Sequence, residues 1–575
     1  MAIQNSRRVT VRKRISAFGG VRSVGKIAET GASESENFRI LPDGSLEKRC
    51  GWETVIRQTG AIRGYWEGIL SGSSYVFFVA GNKLWRLSQT DTAPVELAVL
   101  ATSTDRVSFF LFRDCLYMMN GYTVMVFKPE MGVFSVAEGY APLYGKNWHP
   151  TQMGEVNEPR NLISQHLRVH YLNTSASKTF QLPYTAESVD AVRVNGTAVT
   201  NFSFTAPSST VTLPDAYATG GEVLIAFTVD SLFSRRAEVL KSGHATVCKD
   251  GYHETLLTYG GSAGYRVWRS AAVSDDAVTD ARTVYSGADG LYFRDGDGFS
   301  LGSQQHPITA IVQYLDRALV FNDSNLWVLR HTSPDGDGME ISLFQSGIGC
   351  VATDGATLCR GVPVIVSRAG IGKLGFTNTD PAFCTFTALS DDISDRMSGS
   401  VLENAVIRWN DADSTLWVRD TTADDGTVWL YHTERRQWIR YTGIAANALI
   451  SCRGCPGFTT DDGRIARFDE ALDTDDGQPF DAVYLSRYLD FSQPEFCRRS
   501  GYAAICADSG GSSIALTLES ERGFCTFSFS GNAVSVPEFF DGRFGIGRFR
   551  FLRYRISLSG TTRVRIYSLS VYATI

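Results

Sequence analysis

One pattern constrains this chain more than its composition does: a degenerate strand–turn–strand unit that recurs along most of its length. A short apolar run enters a Gly/Asn/Asp/Ser turn and leaves as a second run, often marked by tryptophan. The copies fall at residues 75–87, 116–127, 256–268, 318–329, 362–376, 416–441 and 449–468. The second of these turns at Asn120-Gly121, a strong hairpin signal. Trp85, Trp268, Trp327, Trp429 and Trp438 hold a similar slot, on the strand that follows a turn. The spacing from copy to copy is mostly roughly 30 to 60 residues, which brackets the length of a four-stranded propeller blade. A blade cannot bury its own faces, so blades must stack around an axis to make a core. The pattern predicts an all-β fold, a β-propeller of six or seven blades.

Two stretches break the pattern. From about 156 to 229 the strand-like runs lie at 166–171, 189–194 and 222–229, joined by Asn195-Gly196 and Gly220-Gly221 turns, with no Trp. This reads as a small β-sandwich inserted on a blade loop, where large insertions are tolerated. After about Asp476, the runs 488–491, 513–519, 524–529 and 548–558 read as strands of a C-terminal β-domain. The first 60 residues read as irregular and extended, with seven Lys or Arg and no Asp or Glu before Glu29. Such an arm usually orders only against a partner. The expected organisation is an extended basic arm at 1–60, the first blades at 61–155, the inserted sandwich at 156–232, the remaining blades at 233–475 and the C-terminal β-domain at 476–575.

Composition agrees with strands, since aromatic residues reach 12% and 54 glycines supply turns. A length of 575 residues calls for two to four domains. A net charge of −6 is too weak for a general nucleic-acid coat. No apolar run is long enough to span a membrane and the N-terminus has no signal-peptide pattern, so folding in a cytoplasm is expected. Eleven scattered cysteines read as reduced thiols and not as a disulfide framework.

Motifs that could carry chemistry are few. His166 and His170 sit in strand-like sequence, where they would share a face about 13 Å apart, too far for one metal ion. Cys452-x-x-Cys455 has no second pair at zinc spacing and no helix start beside it. Asp295-Gly-Asp-Gly298 and Asp335-Gly-Asp-Gly338 lack the glutamate that completes a calcium loop, and read as tight turns. The run Thr422-Ala-Asp424-Asp-Gly426-Thr-Val-Trp429 resembles the Asp-box of sialidase-type propellers, a hairpin-stabilising element away from the chemistry. No nucleotide loop or nucleophile elbow appears, so no catalytic, cofactor-binding or metal residue is assigned. What stands out is basic: Arg7, Arg8, Arg12, Lys13 and Arg14 in the arm, and Arg548, Arg550, Arg553 and Arg555 near the other end. The latter alternate, which would put several guanidiniums on one strand face, toward acidic neighbours or DNA.

The segment from Asn37-Phe38 through Asp43-Gly44-Ser-Leu46 to Arg49-Cys50-Gly51-Trp52 resembles the N-terminal signature of the tail hub, "stabilisation" or nozzle proteins of short-tailed bacteriophages. Cys50 stands where those proteins usually carry Pro. The inserted sandwich and the Gly-Arg-Phe-Arg-Phe-Leu-Arg-Tyr-Arg run at 547–555 agree with the resemblance. It implies a non-enzymatic, cofactor-free virion protein, assembled in the bacterial host cytoplasm into a homohexameric ring below the portal and adaptor. That ring would retain packaged DNA, contact it transiently during ejection and support tail fibres. The alternatives are a carbohydrate- or receptor-binding propeller, such as a tail adhesin, and a propeller glycoside hydrolase.

Overall fold

A computed structural model of the chain describes residues 10–23, 31–172, 176–217, 220–229, 235–249, 254–261, 264–273, 290–332, 338–376, 384–489, 501–532 and 537–574. It divides into two compact units, residues 63–347 and residues 1–62 with 348–575. Both are almost wholly β, and no helix among the described residues is long and apolar enough to cross a membrane.

The 63–347 unit contains four antiparallel four-stranded sheets with their strands in chain order. Blade I runs from Ile62–Leu70 to Val95–Val99 and blade II from Ser108–Phe112 to Val133–Val136. Blade III runs from His244–Lys249 to Gly298–Ser300 and blade IV from Ala310–Tyr314 to Met339–Ser346. The other unit adds blade V, from Ala356–Cys359 to Cys384–Ala388, and blade VI, from Val406–Asn410 to Gln437–Tyr441. Blade VII is Ala448–Cys452, Cys455–Thr459 and Arg464–Asp469, completed by a strand from the far end of the sequence, Gly51–Arg57. Within each unit the first strands of successive blades neighbour one another (II and III, III and IV; V and VI, VI and VII), the arrangement of blades set around an axis. The fold is thus an all-β propeller type with seven blade sheets among the described residues.

Each sequence copy marks the central hairpin of one blade. Residues 75–87, 116–127, 256–268, 318–329 and 362–376 cover second and third strands, 416–441 covers the second to fourth strands of blade VI, and 449–468 covers the first three strands of blade VII. Second strands such as Arg317–Phe321 (RALVF) and Thr415–Arg419 (TLWVR) are buried on both faces and so lose the polar alternation of a half-exposed strand. Trp85, Trp268, Trp327 and Trp429 occupy third strands; Trp438, expected in the same slot, lies on a fourth strand, Gln437–Tyr441.

The inserted sandwich starts earlier than its sequence style suggested. A five-stranded sheet begins at Leu143–Trp148 and packs on the pair Ser177–Ala186 and Ser208–Tyr217 around Tyr171, Phe180, Val211 and Phe227. Trp148, outside the span read from sequence, belongs to that core and donates its indole N–H to Glu155 O at 3.0 Å.

The largest correction concerns the first 60 residues, read as an arm that orders only against a partner. Their described part is woven into the chain's own sheets. Thr10–Ile15 pairs with the final strand Arg565–Thr574, and Phe38–Ile40 and Leu46–Lys48 extend the same sheet. Ala32–Glu36 pairs with Ala482–Ser486 in the opposing sheet, alongside Leu552–Leu558, Ser513–Ser520 and Gly523–Ser530. The C-terminal β-domain is therefore built from both ends of the chain around Phe38, Leu46, Tyr484, Leu516, Tyr554 and Leu569. Strands this short, with charges such as Arg39 and Glu47 between buried neighbours, carry little periodic signal.

Candidate functional site

The signature segment folds into a closely bonded buried cluster. Asn37 adopts φ +54°, which asparagine tolerates better than most residues. Its side chain meets four groups: Nδ2 donates to Asp481 O at 2.8 Å and Thr442 Oγ1 at 3.0 Å, while Oδ1 accepts from Thr442 N at 3.0 Å and Arg49 Nε at 2.9 Å. Arg49 is fully buried, and its other four N–H groups reach Asp475 Oδ1 and Oδ2 (2.8 and 2.6 Å), Cys50 O (3.0 Å) and Thr442 O (3.3 Å). The Phe480 ring lies against the guanidinium, 3.9 Å from its carbon. Gly51 is required by contact alone, because a Cβ there would sit 1.9 Å from Thr474 O. In the turn ahead, Asp43 accepts from Ser45 N and Oγ and from Arg565 Nη2 (2.6 Å). Those bonds hold its carboxyl down to about 2, the Ser45 hydroxyl contributing most. The motif thus ties the N-terminal hairpin to blade VI, to the segment after blade VII and to the last strand.

The basic residues singled out from sequence do not converge. Arg7 and Arg8 lie outside the described residues. Arg12 and Arg14 project from one exposed face of Thr10–Ile15, Arg12 lying over the Tyr572 ring at 5.3 Å, and Lys13 is on the other face. The expected row of four terminal arginines on one strand face is not formed, because the strand starts only at Leu552. Arg553 and Arg555 share a face, and Arg553 forms a two-bond pair with Glu519 at 2.9 and 2.7 Å. Arg548 and Arg550 are exposed in the irregular segment before it.

Other motifs resolve into structural contacts. His166 and His170 share a strand face, each beside its own carboxylate, Asp190 at 3.6 Å and Glu222 at 3.7 Å. Cys452 stands opposite Cys455 across a two-residue turn, both as free thiols. Asp297 is held by Arg294 and Arg269, at 2.6 and 3.2 Å. Asp335 falls outside the described residues. In the Asp-box-like loop Asp425 accepts from Thr427 Oγ1 at 2.6 Å, and Gly426 takes φ +69° where a Cβ would meet Ile444 N at 2.6 Å.

A cavity of about 360 Å³, which sequence reading missed, lies between the facing sides of blades VI and VII and under the hairpin at 38–48. Its apolar walls include Ile40, Trp417, Leu430, Ile439, Tyr441 and Phe468. Its polar margin holds Arg39, Cys50, Asp413, His432, Arg435, Gln437 and Glu470. Arg39 bonds Glu47 and Glu470 at 2.6 Å each. Burial raises the Asp413 carboxyl and lowers the His432 imidazole, and pushes the Cys50 thiol up to about 11. Nothing in the spacing of these residues groups them, because they come from three separate stretches of chain.

No family model matches the chain, and no curated protein does. Among solved structures the chain is similar to the AfRom2 CNH domain, with a TM-score of 0.34 and 6% identity over 73% of this chain and 99% of that one, a likeness too loose to carry an argument.

Proposed function

We propose that the chain is a non-enzymatic structural component of a bacteriophage virion tail, a hub or nozzle protein. It assembles as a homohexameric ring below the portal and adaptor, helps retain packaged DNA, forms the ejection conduit and supports tail fibres. The observation that carries this reading is the signature segment. The residues that resemble the nozzle motif, Asn37, Asp43, Arg49 and Gly51, tie the N-terminal hairpin to segments some four hundred residues away or more, which suits a structural protein. Exposed Arg12, Arg14, Arg548 and Arg550 suit contact with DNA phosphates or acidic neighbours. Sixfold repetition would multiply each such contact.

The test is the mass and shape of the purified chain, by light scattering and negative-stain microscopy, alone and with candidate portal and adaptor proteins. The expected result is a ring of six, alone or assembled on the partner. A chain that stays monomeric with every tail protein offered would overturn the proposal.

A further inference from the structure

We propose that the cavity between blades VI and VII binds a small amphipathic carboxylate, its apolar body against Trp417, Tyr441 and Phe468 and its anionic end at Arg435. The volume, about 360 Å³, lies within the range of roughly 300–1,000 Å³ typical of small-ligand sites. An apolar chamber with a few polar groups at one side selects a ligand that is itself apolar with one polar end.

The sign of that end follows from the charges around it. Arg39 is matched by Glu47 and Glu470. Asp413 accepts from Asn410 and Thr415 and is shifted toward its neutral form by burial, as His432 is toward neutral imidazole. Arg435 is different: its guanidinium is half-buried and makes no hydrogen bond or ion pair among the described residues. The two carboxylates that act on it from a distance are committed elsewhere, Glu434 to Arg360 at 2.9 Å and Asp43 to Arg565 at 2.6 Å. A partly desolvated cation without a counter-ion is costly, and an incoming carboxylate removes that cost with a forked, charge-assisted pair.

A second observation concerns polar atoms with nothing to bond. His432 Nδ1 and Gln437 Oε1 are both buried and unpartnered, and the two residues face each other in the β-ladder of blade VI. Buried polar atoms are nearly always satisfied, and both residues stand in the polar margin of the cavity beside Arg435. Neutral imidazole donates from Nδ1 in one tautomer, and a glutamine amide offers N–H or C=O according to its rotation.

This inference stands apart from the tail reading, and calorimetric titration of the full chain tests it with three probes of one shape: 4-phenylbutyrate, 4-phenylbutanol and 4-phenylbutylamine. The expected order of affinity is acid, alcohol, amine, with one site per chain. Arg435→Gln should weaken the acid at least about tenfold while changing the alcohol less than about twofold. The unmodified chain already decides the matter if the variant misfolds. Equal binding of acid and alcohol, an acid affinity unchanged in Arg435→Gln, or no saturable binding up to about 1 mM acid would each overturn the proposal.

Discussion

Taking a guanidinium out of water costs several kcal/mol, and Arg49 recovers that cost only because all five of its N–H donors find acceptors. Removing it strands the Asp475 carboxylate in the same pocket. Arg49→Met should therefore destabilise the chain by about 3–5 kcal/mol in denaturant unfolding, and Arg49→Lys should recover little of it, since an ammonium cannot fork to both oxygens. Asp43 lends the same region an acid sensitivity. Its folded value of about 2 lies below the ordinary 3.8, so its contribution is fully present above the ordinary value and is lost as pH falls through about 2. Asp43→Asn should flatten that part of the stability–pH profile between about pH 4 and pH 2, seen as a smaller drop in Tm on acidification. Sequence alone marked Asn37, Asp43 and Arg49 as a motif, yet it could not give their work. The partners Thr442, Asp475 and Asp481 lie some four hundred residues away in the chain.

At the scale of the element, blade hairpins are fixed by turn chemistry. In blade II the Asn120 Oδ1 accepts from Tyr122 N and Thr123 N at 3.0 and 2.8 Å; in blade IV the Asn322 Oδ1 accepts from Ser324 N and Asn325 N at 2.9 and 2.7 Å. Both asparagines are buried, so alanine leaves backbone donors without an acceptor. Each Asn→Ala change should cost about 1–3 kcal/mol, and Asn→Asp, which keeps the oxygen, distinctly less. Such turns are why the blades could be read from the sequence: an apolar run buried on both faces, a turn residue with a local hydrogen bond, then a second run. Outer strands were harder. Met339–Ser346 is exposed or half-exposed throughout: Met339 and Ile341 pack on the core but Leu343 stands in the open, so its apolar alternation is short. The terminal arginines show the same limit. Their alternation implied one strand face, but it runs across a strand start, so only Arg553 and Arg555 share one.

For the molecule as a whole, what matters is which strand completes blade VII. Gly51–Arg57 joins Arg464–Asp469 in antiparallel register, Trp52 opposite Phe468 and Glu53 opposite Arg467, with the Glu53–Arg467 ion pair at 2.8 Å and Trp52 edge-on to Phe458 at 5.1 Å. No local pattern can announce a partner four hundred residues distant, which is why the N-terminal stretch read as an unattached arm. The consequence is cooperative. The loop closed by this pairing is long and its entropy is spent before the contacts repay it, so the early strands are held only once the late ones are in place. If they are held as the register shows, they open only with the unit they close. Hydrogen exchange followed by mass spectrometry should then give residues 51–57 protection matching that of 464–469. The changes that loosen the signature cluster, Arg49→Met above all, should lower both segments together. Rapid exchange at 51–57 beside slow exchange at 464–469 would mean that the strand is an attachment and not a closure.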